Sequence, residues 1–332
     1  MHIEIDFKDY PIDGVFRISR GAKSAVEVIE VKMSDGKDIG YGESRPYARY
    51  GESLASVKAQ IEAKQEAICA RPLEEDIDDI LPAGAARNAV DCARWDLRCK
   101  KRGQSIWDIT GYNKPQFSLT AYTLGIDSVE AMAAKAASKT NATLLKIKLG
   151  GGGKEGFIED AARLKAIREA RPDVRLIVDA NEGWQGEALE TMVKTCLEAR
   201  VELIEQPLPA GDDDALRTLK THNIKICADE SLHTSADLES LRDRYNAINI
   251  KLDKSGGLTE AMRMVEKARA LGFSIMCGSM LASSLSMAPA YVIASKADVV
   301  DLDGPLLLKQ DHANAIIYEG STMYPPSPQL WG

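Results

Sequence analysis

From Ser118 onward, short apolar runs alternate with amphipathic helical patterns, and this series constrains the fold more than any other feature. The runs are Leu119–Leu124, Leu144–Leu149, Arg175–Val178, Val201–Ile204, Ile224–Cys227, Ala247–Ile250, Phe273–Cys277 and Asp298–Val300. Each has the length and character of a buried strand. Between them lie helix-spaced stripes such as Phe157, Ala161, Leu164 and Ile167, closed by Pro172. Eight such units in series predict an α/β fold with a TIM-like barrel rather than an open doubly wound sheet. No Gly-x-Gly-x-x-Gly opens a helix after a strand, and Gly150 to Gly153 lacks the Gly-Lys-Ser/Thr ending of a phosphate loop.

Barrel enzymes take their catalytic groups from the C-terminal ends of the strands. The run Leu144-Leu145-Lys146-Ile147-Lys148-Leu149 places Lys146 and Lys148 on one face and Ile147 on the other. A lone Lys-x-Lys would by default be a solvated edge strand. On a buried strand, desolvation and like-charge repulsion both predict a lowered pKa for at least one lysine, which makes a base. The following strand ends supply Asp179, Glu205, Asp229 and Lys251, at spacings of 26, 24 and 22 residues. That is about one strand–helix unit per step, so three carboxylates and two flanking lysines converge on one mouth. A single acid there could be a helix cap. Three at successive strand ends would repel unless neutralised, and oxygen ligands without Cys or His favour Mg²⁺. Lys148 and Lys251 arise on opposite sides of the mouth. One could take a proton from an α-carbon while the other returns one to the opposite face, with Mg²⁺ steadying the substrate carboxylate. After the eighth run, Asp301 and Asp303 share a face if the strand continues. They read equally as an ammonium site or as turn residues before Gly304-Pro305.

The formal net charge of −8, with no basic cluster, argues against nucleic-acid and anionic-membrane partners. Six cysteines without a Cys-x-x-Cys pair fit a reduced, cytoplasmic compartment. Acids at Glu4 and Asp6 do not fit a signal peptide. Ala270 to Ser295 carries no charged residue but contains Gly272, Gly278, Pro289 and several serines, so it reads as strand, loop and helix rather than a membrane span. The four histidines fall outside the strand ends and read as loop or surface residues.

Residues 1–115 read as an α+β unit. Ala25–Met33 and Ile39–Glu43 form a hairpin around Ser34-Asp35-Gly36. Helices are expected over Ser53–Cys69, with Ser53 as N-cap, and over Ala83–Lys101, stopped by Gly103. The stretches Ile18–Ser24 and Ser44–Glu52 read as polar loops, either recognition elements or plain connections.

The set Lys146-x-Lys148, Asp179, Glu205, Asp229 and Lys251 resembles the enolase superfamily, in its muconate-lactonizing-type subgroup. Within it, Arg49-Tyr50-Gly51-Glu52-Ser53, Ile204–Pro209, Cys227–Ser231, Asn249–Lys254 and above all Asp301-Leu302-Asp303-Gly304-Pro305 are similar to dipeptide epimerases of the L-Ala-D/L-Glu type. The resemblance covers essentially the whole chain. It implies a modified (β/α)₇β barrel over 116–305, a capping domain over 1–115 and a tail over 306–332 that packs back on the cap. It implies Mg²⁺ as cofactor and 1,1-proton transfer on a small dipeptide from cell-wall recycling. Asp301 and Asp303 would then bind the α-ammonium, and Thr123 and Tyr50 would contact substrate. The capping-loop arginine that holds the glutamate side chain matches Lys23 here, with Arg20 nearby. Lysine keeps the charge but not the bidentate geometry. An o-succinylbenzoate synthase or N-acylamino acid racemase shares the lysines and metal but gives Asp301 and Asp303 no task. A Schiff-base aldolase would need no metal, and a binder would need no lysine chemistry. The oligomeric state is left open by the sequence.

Overall fold

The computed structural model describes residues 1–19, 21–152 and 156–332. The chain opens with an antiparallel sheet of β1 (His2–Ile18), β2 (Gly21–Asp35) and β3 (Asp38–Ser44), in the order β1-β2-β3. The expected hairpin is β2–β3, turning at Gly36 with φ 65°. Two expectations are corrected. Strand β1 was not foreseen, and the Ile18–Ser24 stretch read as a loop has Ile18 at the end of β1 and Gly21 to Ser24 already in β2. Pro11 and Gly14 interrupt the alternation of β1, whose register against β2 shifts between Pro11 and Phe16. An outer strand tolerates such a proline, an inner one does not.

Helix α1 (Leu54–Ala70) starts at Ser53, which exchanges side-chain and backbone hydrogen bonds with Ser56. Helix α2 (Ala85–Arg102) ends at Gly103 with φ 60°. It lies directly on β3: a Cβ at Gly40 or Gly42 would come 2.1 Å from the carbonyl oxygen of Ala93 or Ala89. A short α3 (Ile106–Thr110) follows. Ile29, Val31 and Met33 of the sheet pack with Val57, Ile61 and Leu97 of the helices into the cap's own core.

The first apolar run divides in two. β4 (Ser118–Leu119) joins a small sheet with β13 (Tyr318–Glu319) and β14 (Thr322–Met323), and only β5 (Tyr122–Leu124) enters the barrel. The other seven runs become β6 (Leu144–Lys148), β7 (Arg175–Asp179), β8 (Val201–Glu205), β9 (Lys225–Ala228), β10 (Ala247–Ile250), β11 (Ser274–Gly278) and β12 (Val299–Asp301). All eight barrel strands pair in sequence order and in parallel, and a bridge between Thr120 and Val300 joins the two edges. The outer ring holds α4 (Val129–Ser138), α5 (Gly156–Ala170), α6 (Gly186–Glu198), α7 (Leu238–Leu241), α8 (Leu252–Ser255), α9 (Leu258–Ala270) and α10 (Ser284–Ala294). Inside, Ala121, Leu144, Ile177, Leu203, Cys227 and Ala247 with Met276 fill the barrel as one apolar layer. The Ala270–Ser295 stretch becomes the end of α9, β11, a loop and α10. No helix among the described residues is long and apolar enough to cross a membrane.

Acids of the cap hold it on the barrel by occupying backbone N–H groups at helix starts. Glu43 accepts from Ser283 N (2.9 Å) and Oγ (2.6 Å) at α10, and Asp91 accepts from Thr259 N (3.0 Å) and Oγ1 (2.6 Å) at α9. Asp253 of the barrel accepts from Ser44, Arg45 and Asn88 of the cap. Residues after β12 return to β1 and α2: Lys309 N donates to Pro11 O, and Trp331 Nε1 to Cys92 O.

Burial pushes the Glu43 carboxyl up to about 8 from an ordinary 4.5, and Asp91 up to about 6. A raised carboxyl pKa favours the folded state at low pH. That contribution is complete below the unfolded value and is lost as pH climbs through the folded one. Denaturation at a series of pH values should therefore show stability falling between about pH 4.5 and 8, by up to about 1.4 kcal/mol per pH unit from Glu43. Glu43→Gln should flatten that slope; an unchanged slope would remove Glu43 as its source.

Candidate active site

Strand register sets the site. Lys148 of β6 pairs with Asp179 of β7, and Asp179 pairs with Glu205 of β8. Asp229 and Lys251 come one residue beyond β9 and β10. β6 and β10 lie four strands apart in the eight-strand ring, so the two lysines approach from opposite sides with the three acids on the strands between them. Lys146, Lys148 and Lys251 are 1%, 8% and 6% exposed, while Ile147 packs outward in the main core.

Each acid has an ammonium partner. Asp179 Oδ2 lies 2.5 Å from Lys148 Nζ and 3.2 Å from Lys146 Nζ. Glu205 Oε2 lies 2.6 Å from Lys146 Nζ, and Glu205 Oε1 lies 3.8 Å from Lys251 Nζ. Asp229 lies 2.6 Å from both Lys251 and Lys254. The expectation is a lowered pKa for at least one of Lys146 and Lys148; at Lys146 the shift runs the other way. Burial does oppose its charge, but Asp301, Glu205 and Asp179 push it well above the ordinary lysine range. Lys251 is likewise raised: burial opposes the charge, and Asp229 and Glu205 outweigh it. Asp179 and Asp229 are buried too, yet Lys148 with Lys146, and Lys251 with Lys254, hold them below the usual carboxylate range. Glu205 goes the other way, to about 7, through burial and the charge of Asp179.

A cavity of about 490 Å³ opens over this cluster, between barrel and cap. Lys146, Lys148, Lys251, Asp229, Asp301 and Asp303 face it. Asp301 Oδ2 is 2.6 Å from Lys146 Nζ, and Thr123 donates its N–H to Asp303 Oδ2 at 2.5 Å. Burial and the neighbouring Asp301 push Asp303 up to about 7, so this pair lacks a full complement of positive charge. From the cap, Lys23 and Tyr50 line the cavity, as does Thr123 from the barrel. Burial, then Arg45, lowers the Lys23 pKa. Arg20 lies outside the described residues. Tyr50 sets its ring edge-on against His233, centroids 4.7 Å apart, so one of the histidines read as a plain loop residue abuts the site. Beside it, Arg49 makes two hydrogen bonds to Glu182, at 2.9 and 2.8 Å, from the cap to the loop after β7.

Two residues that sequence reasoning did not single out complete the cluster. Lys254, one helical turn past Lys251 on α8, adds the second ammonium on Asp229. Asn249, two residues before Lys251 and so on the same strand face, donates Nδ2 to Glu205 Oε1 at 2.7 Å. That period-two spacing was a usable signal for Asn249; Lys254 had none, because α8 is only four residues long.

Three buried carboxylates on adjacent strands make an all-oxygen donor set suited to a hard divalent cation. Glu205 Oε2 is buried and takes no hydrogen bond, although Lys146 is near enough for an ion pair. Among the described residues the acids are not gathered into a finished cage, since ammonium groups stand between them. The residues thus fit the metal by chemistry.

Comparison with known proteins places the fold and site. Residues 10–111 match the mandelate racemase/muconate lactonizing enzyme N-terminal domain, and residues 128–326 match the enolase C-terminal domain-like family. The chain belongs to this family of the enolase superfamily. It is 43% identical over 304 residues to L-Ala-D/L-Glu epimerase of Escherichia coli (strain K12), covering 91% of this chain and 92% of that one. It is 44% identical over 310 residues to N-acetyl-D-glutamate racemase of Pseudoalteromonas sp., covering 92% and 95%. A crystal structure of an enolase family member from Agrobacterium tumefaciens, described as having homology to dipeptide epimerases and holding sodium and L-Ala-L-Glu, superposes with a TM-score of 0.94. It shares 46% identity and 99% coverage of both chains.

Proposed function

We propose that this protein is a Mg²⁺-dependent dipeptide epimerase that inverts the α-carbon of the C-terminal residue, with L-Ala-D/L-Glu from cell-wall peptides as substrate. One observation carries the reading: Lys148 and Lys251 enter a single cavity from opposite strands, and Asp301 and Asp303 face that same cavity. A substrate α-carbon lying between the lysines presents one face to each. One lysine, as neutral amine, takes the α-proton; the other, as ammonium, delivers a proton to the opposite face. In the reverse direction the roles exchange. Asp301 and Asp303 supply negative charge for the dipeptide's ammonium, and Lys23 supplies positive charge for the glutamate side chain. Asp179, Glu205 and Asp229, which here pair with lysine ammonium groups, would hold Mg²⁺. The bound ion supplies positive charge beside the substrate carboxylate as the α-proton leaves.

The 44% identity to an N-acetyl-D-glutamate racemase favours a second reading, racemisation of an N-acylated glutamate on the same lysines. That substrate lacks an ammonium group, which gives Asp301 and Asp303 no substrate group to bind. Incubation with L-Ala-L-Glu or with N-acetyl-L-glutamate in D₂O, followed by mass spectrometry, separates the two. Deuterium is expected at the dipeptide's α-carbon at a rate at least about tenfold above the acyl substrate, from one lost charge-assisted contact. Exchange of the acyl substrate alone would overturn the dipeptide reading.

A further inference from the structure

One buried acid near the mouth has no part in the chemistry just described. Asp160, on α5, is fully buried. Its Oδ2 accepts from Gly150 N at 2.8 Å and from Trp184 Nε1 at 3.1 Å, and its Oδ1 accepts from Arg163 Nη1 at 3.1 Å. Arg163 Nε donates in turn to Asp127 O at 2.8 Å. Gly150 follows Lys148 by two residues, Trp184 follows Asp179 by five, and Asp127 follows Thr123 by four. A single buried ion pair therefore ties together the loops that leave β5, β6 and β7.

The backbones it joins are in contact. A Cβ at Gly150 would come 2.0 Å from Ala180 O, and one at Gly183 would come 2.4 Å from Gly150 Cα. Leu149 N donates to Asp179 O at 2.8 Å across the same seam. Segments this close move as a unit, so whatever holds Gly150 and Trp184 also fixes Lys148 against Asp179. The Lys251 side has other supports: Lys254 on Asp229, and Asp253 bonded to the cap. None of the Asp160 contacts reaches it.

We infer that Asp160 is a positioning residue for one half of the reaction: through the N–H of Gly150 it holds the end of β6 and with it the reach of Lys148, and so governs proton transfer on the Lys148 face of the α-carbon only. This rests on the two-lysine reading above. The test measures initial α-proton exchange in D₂O separately from L-Ala-L-Glu and from L-Ala-D-Glu. The proton leaves carbon for the lysine, the lysine exchanges with solvent, and a deuteron returns. Lys148→Ala first identifies the epimer whose proton Lys148 removes, because exchange from that epimer alone is lost. Asp160→Ala is expected to slow exchange from that same epimer by about 10- to 100-fold, since displacements near 1 Å cost that much. The other epimer should change by less than about threefold. Asp160→Asn, which keeps an acceptor for Gly150 N, should recover most of the loss. Trp184→Phe, which removes one of three donors, should shift the same epimer by about three- to tenfold and serves if Asp160→Ala does not fold. Equal losses for both epimers, no loss for either, or no recovery in Asp160→Asn would overturn the inference. Wild-type protein that exchanges neither epimer would instead sink the two-lysine reading, and this inference with it.

Discussion

Lys148→Ala and Lys251→Ala should each cut epimerisation of L-Ala-L-Glu by about 10²- to 10⁴-fold, the usual contribution of a positioned acid or base. Both variants should remain folded, because neither strands a buried charge. Without Lys148, Asp179 keeps Lys146 at 3.2 Å; without Lys251, Asp229 keeps Lys254 at 2.6 Å. The informative result is the pattern of exchange. Each variant should still wash the α-proton out of one epimer in D₂O while failing to invert it, and the surviving epimer should differ between the two. If both variants retain exchange from the same epimer, the lysines do not face each other across the substrate.

The second large effect concerns the acids. Chelation should abolish turnover, and Mg²⁺ should restore it. Added Mg²⁺ should also raise the melting temperature of the wild-type protein by several degrees, since about 100 times Kd stabilises the folded state by about 2.7 kcal/mol. Glu205→Gln is the cleanest variant, because Lys146 keeps Asp179 and Asp301 as partners. It should lose both the thermal response to Mg²⁺ and the activity. Asp229→Asn removes the shared partner of two buried ammonium groups, Lys251 and Lys254. It should cost about 3–5 kcal/mol before any metal is added. A normal Mg²⁺ response in Glu205→Gln would place the ion elsewhere.

The barrel was legible because its strands lie in short apolar runs, six of the eight ended or directly followed by a charged residue, a local pattern. β1 was not, since an outer strand with Pro11, Gly14 and solvent on most of its length loses the alternation that identifies a strand. The split of Leu119–Leu124 was hidden too, because β4 pairs with Thr322–Met323, two hundred positions away in the sequence. The strand-end acids and lysines could be read from spacing alone. Their electrostatics could not. In the sequence Lys146 has Lys148 as its visible neighbour, which suggests repulsion. In the fold its nearest charges are Asp301, Glu205 and Asp179, from three other strands, and the sign of the shift reverses. Asp160 and Glu43 stayed invisible for a related reason: Glu43 accepts from the N–H and hydroxyl of Ser283, and Asp160 from Gly150 N and the Trp184 indole, partners that no local pattern marks.

The placement of β6 opposite β10 in the ring has an outcome for the cell as well as for the chemistry. No catalyst moves an equilibrium, so two lysines serving the two faces speed both directions and leave the ratio of diastereomers to their own free energies. Net traffic through such a protein would then be steered from outside, by whichever downstream enzyme withdraws one epimer faster than it is replenished.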